Sequence, residues 1–170
     1  MTSTEARTAE RFREALSSFP SGVTIVTTAD SRGEWRGFTA TSFCSVSMEP
    51  PLVLVCLANT AECHPAFSVG TRWVVHIISG EHAELAKRFA TRGADKFAGS
   101  AFDANDHGLP VLPGAVVMLE CSRDAVYPAG DHTVLLGRVD RVEFGDGTPA
   151  VYYRRGFHEL RPGAAAPGPG

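Results

Sequence analysis

Apolar residues recur at helical spacing near the start of the chain, where Phe12, Leu16 and Phe19 fall at i, i+4 and i+7 and predict a helix over residues 4–18. Pro20-Ser21-Gly22 breaks that pattern, and the β-branched run Val23-Thr24-Ile25-Val26-Thr27-Thr28 predicts a strand. Asp30-Ser31-Arg32-Gly33 has turn chemistry, so residues 35–40 are expected to return as the second arm of a hairpin. Polar and apolar positions alternate from Ser42 to Met48 until Pro50-Pro51 stops them. Residues 52–58 are apolar throughout, as in a strand buried on both faces.

A short helix is expected within residues 59–70, a strand over 72–78, and a helix over 81–90 capped by Ser79, with Leu85 and Phe89 stacked at i, i+4. Residues 91–113, rich in Gly, Ala and Asp, read as mostly irregular. Residues 115–127 and 133–144 predict two long strands around Pro128-Ala129-Gly130-Asp131-His132, and residues 150–154 a last strand. The pattern places a single folded domain over residues 1–160. The Pro/Gly/Ala tail, 161–170, has nothing to bury and is expected to be disordered. Many strands joined by hairpins, with few and short helices, argue for a mainly β, antiparallel barrel. No Gly-x-Gly-x-x-Gly follows a strand, so a Rossmann nucleotide site is unsupported.

Composition narrows the classes. The 170 residues match one domain of roughly 100–200 residues. Hydrophobic residues at 44% and charged residues at 21% are globular values. A net charge of −3 offers no basic footprint, so neither a nucleic acid nor an anionic membrane is expected as a partner. The longest apolar run, residues 51–58, is far too short to span a membrane, and the polar first ten residues lack the core of a signal peptide. Cys44, Cys56, Cys63 and Cys121 form no Cys-x-x-Cys pair and read as buried thiols of a cytoplasmic protein rather than a disulfide or zinc framework. His64, His76, His82, His107 and His158 have no metal-ligand spacing and are expected to be structural or exposed; no metal is expected.

Candidate chemistry starts at residues 37–47, where Thr39, Thr41, Ser42, Ser45 and Ser47 put hydroxyls on both faces of a strand. One reading is a solvent-facing strand with small polar groups. The other is a shelf of short donors and exposed backbone amides against which a flat, polar-edged ring can lie, small side chains letting the ring approach the backbone.

At this shelf the sequence resembles the short-chain NAD(P)H:flavin oxidoreductases, the FMN-binding split β-barrel family that supplies reduced flavin to two-component monooxygenases. The resemblance runs in order through Phe19-Pro20-Ser21-Gly22-Val23-Thr24, Gly37-Phe38-Thr39-Ala40-Thr41-Ser42-Phe43, Ser45-Val46-Ser47 and Pro50-Pro51-Leu52-Val53. It continues through Glu84-Leu85-Ala86-Lys87-Arg88-Phe89-Ala90, Asp95-Lys96-Phe97, Gly130-Asp131-His132 and Tyr152-Tyr153-Arg154-Arg155-Gly156. Their order and spacing are specific, and they cover about Phe12 to Phe157.

The resemblance implies a homodimeric, Greek-key-like split barrel with FMN or FAD as cofactor and NADH or NADPH as hydride donor. It implies that Thr39, Ala40, Thr41, Ser42 and Ser45 line the isoalloxazine ring, with backbone amides facing the edge where reduction places negative charge. Cys56, Leu57 and Ala58 match the strand end that contacts the ring and ribityl chain, and residues 59–64 match the segment near the phosphate. Here Glu62, Cys63 and His64 depart from the family's usual Ser, Thr or Arg. Arg88 is the first candidate for the phosphate, since a guanidinium grips it through two parallel hydrogen bonds, and Lys96 the second; either could instead be a solvated charge. Phe89 flanks the flavin or belongs to the core. His132 is the candidate catalytic residue on the nicotinamide side, the alternative being an exposed histidine on a plain hairpin turn; Tyr153, Arg154 and Gly156 belong to the same pocket.

The expected function is NAD(P)H-dependent reduction of FMN or FAD, with reduced flavin diffusing to a partner monooxygenase. Two rivals stand beside it: a flavoprotein that reduces another acceptor, such as a nitro or azo compound, and a non-catalytic flavin-binding module.

Overall fold

The computed structural model describes residues 3–99 and 101–160, so the predicted tail lies outside the described residues. Helix α1 (Ser3–Ser17) and the short strand β1 (Ser21–Gly22) lead into the hairpin of β2 (Thr24–Ala29) and β3 (Trp35–Ala40). Asp30 builds the turn, its Oδ1 accepting hydrogen bonds from the Arg32 and Glu34 amides at 2.9 and 3.0 Å. Then come β4 (Cys44–Met48), β5 (Pro51–Ala58), α2 (His64–Val69) and β6 (Arg72–Ile77). A 3-10 turn (Gly80–His82) precedes α3 (Ala83–Ala90), and β7 (Asp103–Ala104) and β8 (Pro110–Val111) pair within the irregular segment that follows. The long strands β9 (Val117–Ala129) and β10 (His132–Phe144) form a hairpin, and β11 (Ala150–Tyr153) and β12 (Gly156–Glu159) close the described chain.

Seven strands form one sheet in the order β3-β2-β6-β9-β10-β5-β4, and every pairing in it is antiparallel. Register shifts at Leu136/Gly137 and Val139/Arg141 bend the β9–β10 ladder, as bulges do. The sheet curls until Phe38 and Ala40, from one end of the order, share a core with Val53, Val55 and Leu57 near the other. The result is an antiparallel barrel with a split between β3 and the β4–β5 end. Trp73 fills its centre, and Gly137 makes room for the indole, because a Cβ there would come within 2.8 Å of Trp73 Cζ2. A second cluster, including Ile25, Ile78, Phe89, Phe102 and Leu112, packs α3 and the 97–112 segment over β2 and β6.

Several local expectations change. β5 buries one face only: Val53, Val55 and Leu57 are inside, while Leu52, Leu54, Cys56 and Ala58 are half-buried, because successive side chains of a strand point to opposite faces and only one of them meets the barrel core. Cys63 and Cys121 are buried, which pushes their thiols up to about 11 and about 12, but Cys44 is exposed and Cys56 half-buried. Ser79 does not cap α3; its hydroxyl is hydrogen-bonded to His82 Nδ1 at 3.1 Å, and the 3-10 turn intervenes. The 128–132 loop shrinks to Gly130-Asp131, since β9 and β10 stay paired through Ala129 and His132. Strand β12 was not anticipated. On α1, the apolar side chains Phe12 and Leu16 and the following Phe19 are exposed rather than packed.

Candidate functional site

A cleft of about 320 Å³ opens at the split, where β3, the end of β5, residues 60–63, the end of α3 and the first residue of β10 converge. Its floor is apolar: Phe38, Leu57 and Phe89 are buried core residues that also face the cleft. Close packing of α3 against β3 shapes this floor. Thr39 Oγ1 donates to the Ala86 carbonyl at 2.6 Å, and Gly37 admits the Phe89 ring, where a Cβ would lie 2.7 Å from Phe89 Cε1. Because β3 ends the strand order, one of its edges has no strand partner among the described residues, which leaves backbone donors and acceptors at the split.

Of the residues singled out by sequence, Thr39, Cys56, Leu57, Ala58, Phe89, Lys96 and His132 line this cleft together. Ala40 lies buried next to Thr39 on β3. Ser42 is pinned to β5: its Oγ accepts from the Cys56 amide at 2.9 Å and donates to the Cys56 carbonyl at 3.3 Å. Thr41 and Ser45 are exposed. Arg88 does not line the cleft; its Nη1 donates to the Ala98 carbonyl at 2.9 Å, outside the floor. Tyr153, Arg154 and Gly156 sit apart, on the three-stranded sheet β1-β11-β12, where the Arg154 guanidinium stacks over the Tyr153 ring and the Arg154 amide donates to Ser17 O.

Lys96 is the best-placed cation. Its Nζ donates to the carbonyls of Phe89 at 2.7 Å and Thr91 at 3.1 Å, tying off the end of α3, and an ammonium has a third donor to offer. Desolvation lowers its pKa. Glu62, a departure from the family pattern, accepts from the Gly93 amide at 3.1 Å and lies 4.0 Å from Arg92. This clasp joins the 59–63 loop to the segment after α3. Arg92 itself lines the cleft and was missed, having no signal in a stretch rich in Gly, Ala and Asp.

At the other end, His132 Nδ1 lies 2.7 Å from Asp131 Oδ1. The hydrogen bond with His132, and then its charge, hold the Asp131 carboxyl below its ordinary range, so the carboxylate accepts and Nδ1–H donates. That leaves Nε2 as the ring nitrogen not engaged by Asp131. A neighbouring cleft of about 370 Å³ shares Glu62, Cys63 and Lys96 with the first. Its Arg36 is occupied by Asp30 and Glu34, and its Trp35 Nε1 by the Gly108 carbonyl. Among the described residues, no three His, Cys, Asp or Glu side chains gather as a metal site, and no helix is long and apolar enough to cross a membrane.

Comparison with known proteins shows the family of the chain. The actinorhodin polyketide dimerase of Streptomyces coelicolor is 48% identical over 91% of this chain and 88% of its own. The NADH:riboflavin 5'-phosphate oxidoreductase of Streptomyces pristinaespiralis is 44% identical over 90% of this chain and 89% of its own. In structure, nitrilotriacetate monooxygenase component B from Mycobacterium thermoresistibile superposes with a TM-score of 0.88 at 32% identity, covering 97% of this chain and 93% of that one. The flavin reductase like domain matches residues 16–161, which takes in both sides of the cleft from Phe38 to His132, and the chain belongs to that family.

Proposed function

We propose that this chain binds FMN or FAD without a covalent link in the 320 Å³ cleft, reduces it with NADH or NADPH, and releases it to a partner monooxygenase. The observation that carries this reading is the convergence, at one split in the barrel, of an apolar floor, an unpaired strand edge, a lysine at one end and a histidine at the other. The flavin supplies a two-electron acceptor, the chemistry that no side chain in the cleft provides. The protein's part is placement. Phe38, Leu57 and Phe89 exclude water beneath the ring; the β3 edge and the residues after it offer donors where charge develops. Lys96, with Arg88 and Arg92 nearby in sequence, attracts the phosphate, and His132 faces the nicotinamide.

We also place a second copy against this one. Phe19, Met48 and Phe144, exposed at 73%, 89% and 83%, are large apolar side chains that a homodimer would cover. Tyr153, Arg154 and Gly156 then serve the nicotinamide pocket from the neighbouring copy.

Quenching of flavin fluorescence on titration with this protein should saturate, and NAD(P)H oxidation should depend on added free flavin. No binding of either flavin at high micromolar concentration sinks the proposal. One observation favours a second reading: the 48% identical relative is named for a polyketide and not for flavin. In that reading the flavin is retained and another acceptor is reduced. Flavin that stays bound through gel filtration, with no stimulation by free flavin, selects it.

Arg88→Ala gives the next test. The exposed Arg88 already spends one N–H on Ala98, leaving four for a phosphate. Losing a charge-assisted contact costs about 1.5 kcal/mol, so flavin affinity should fall by roughly tenfold with the melting temperature unchanged. Unchanged affinity for FMN returns Arg88 to the solvated surface and leaves the phosphate to Lys96.

A further inference from the structure

Behind the cleft runs a set of polar side chains that the proposed function does not use. Asn59 precedes the segment whose residues 60–63 line one side of the cleft, and Thr133 follows His132 on the other. Neither side chain lines the cleft itself. Strands β5 and β10 bring them together, since Ala58 pairs with His132 and Leu57 with Thr133. Asn59 holds the hairpin tip three times. Its amide N–H donates to the Asp131 carbonyl at 2.9 Å, its Nδ2 to the Gly130 carbonyl at 3.3 Å, and its Oδ1 accepts from Thr133 Oγ1 at 2.8 Å. Residues 130, 131 and 133 are thus fastened to one side chain and its backbone, and the residue between them is His132.

The hydroxyl of Thr133 continues the chain to His64, whose Nε2 lies 2.9 Å away, and His64 Nδ1 lies 3.1 Å from Ser68 Oγ. The directions at Thr133 follow from the first bond. Asn59 Nδ2 faces a carbonyl, so its Oδ1 must be the acceptor, and the single Thr133 proton goes there. Thr133 then has only lone pairs for His64, so His64 Nε2 carries a proton and donates to Thr133 Oγ1. One neutral tautomer satisfies all members, from α2 to the hairpin tip.

We infer that Asn59, Thr133 and His64 are positioning residues: their hydrogen-bonded relay fixes the His132 hairpin against the 59–63 loop, and so sets how the nicotinamide meets the flavin. The inference rests on the function proposed above. It follows from what hydride transfer demands, two rings held at about 3–3.5 Å, where small displacements of one side of the cleft are costly in rate. The relay acts through His132 and touches neither ring.

Thr133→Val tests it, because valine keeps the shape and β-propensity and removes only the hydroxyl, while Thr133→Ser restores the hydroxyl. In stopped-flow reduction of bound flavin by NADH or NADPH, the valine variant should be slower by about tenfold, with the flavin dissociation constant within about threefold of the parent. The long-wavelength charge-transfer absorbance of stacked nicotinamide and flavin should weaken in parallel. The serine variant should recover both signals to within about threefold. Should the valine variant fail to fold, His64→Leu, on α2 rather than in the hairpin itself, carries the same expectation. A valine variant with a lower melting temperature but the parent rate and absorbance reduces the relay to a stability role and overturns the inference. So does loss of flavin affinity in step with the rate. A parent chain that reduces no flavin with either nicotinamide overturns the proposed function itself, and that result needs no variant to read.

Discussion

Replacing His132 with alanine should slow nicotinamide-dependent reduction of bound flavin by about tenfold to a hundredfold while flavin affinity stays near the parent value. His132 opens β10, and its register with Ala58 and Ala129 holds its backbone in the sheet. The ring is therefore carried by a strand end and not by a loose turn, and it faces the cleft beside Ala58. Its Nδ1 is engaged by Asp131, which leaves Nε2 as the uncommitted ring nitrogen. Hydride transfer requires no protein base and no nucleophile, so an imidazole held this way contributes orientation. An orienting group changes the Michaelis constant of the nicotinamide or the hydride step, and it leaves the flavin's own contacts intact. Stopped-flow reduction read against a flavin titration separates these. A variant that reduces at the parent rate but holds flavin poorly moves His132 to the flavin side and redraws the division of the cleft.

The elements around this site differ in how plainly the sequence announced them. The β2–β3 hairpin was legible because a β-branched run, an Asp-led turn and an apolar return stand side by side. The shelf after β3 was legible as chemistry from its small hydroxyl residues, and the family motifs located His132 and Lys96, both of which line the cleft. Strand β12 was not legible. The turn before it is made by Arg154 and Arg155 at φ of 45° and 64°, a left-handed conformation that arginines do not advertise. The full length of β9 was hidden by Pro128, which reads as a breaker. It is tolerated because β6 pairs with β9 only from Val117 to Ser122, so the far stretch has β10 as its one neighbour. The engagement of Arg88 by Ala98, and of Lys96 by Phe89 and Thr91, depends on where a loop without periodicity returns. The Asn59–Thr133–His64 relay joins residues 69 and 74 positions apart, and only the β5–β10 register brings them into contact.

Acid should destabilise the fold well before the surface carboxylates are protonated, and His76 is the reason. Its side chain is fully buried on β6, with Nδ1 2.9 Å from the Ile25 carbonyl and Nε2 3.1 Å from the Leu112 amide. Nδ1–H donates and Nε2 accepts, so the neutral ring satisfies both neighbours. A proton on Nε2 would set two donors against each other. Burial, the largest influence, drives the pKa down from 6.5 to about 4; the Ile25 carbonyl opposes this, and His82, the nearby titratable group, adds to it. The unfolded chain takes up this proton near 6.5 and the folded chain only near 4. Stability contributed by the neutral ring is therefore complete above pH 6.5 and is lost steadily as the pH falls toward 4. The loss amounts to about 3 kcal/mol, a large share of the 5–15 kcal/mol by which domains are usually stable. Urea denaturation at half-unit steps from pH 7.5 to 4 should show it with unchanged m-values, and the His76 imidazole resonance should not shift above about pH 5. A flat stability curve, or a His76 resonance titrating near 6.5, refutes the assignment. The same bond reaches the candidate cleft: Leu112 anchors the segment whose Phe97 and Phe102 rings pack on Phe89 at 5.1 and 5.4 Å, beneath the proposed flavin. Protonation of His76 should therefore loosen flavin binding in the same pH window in which the fold weakens.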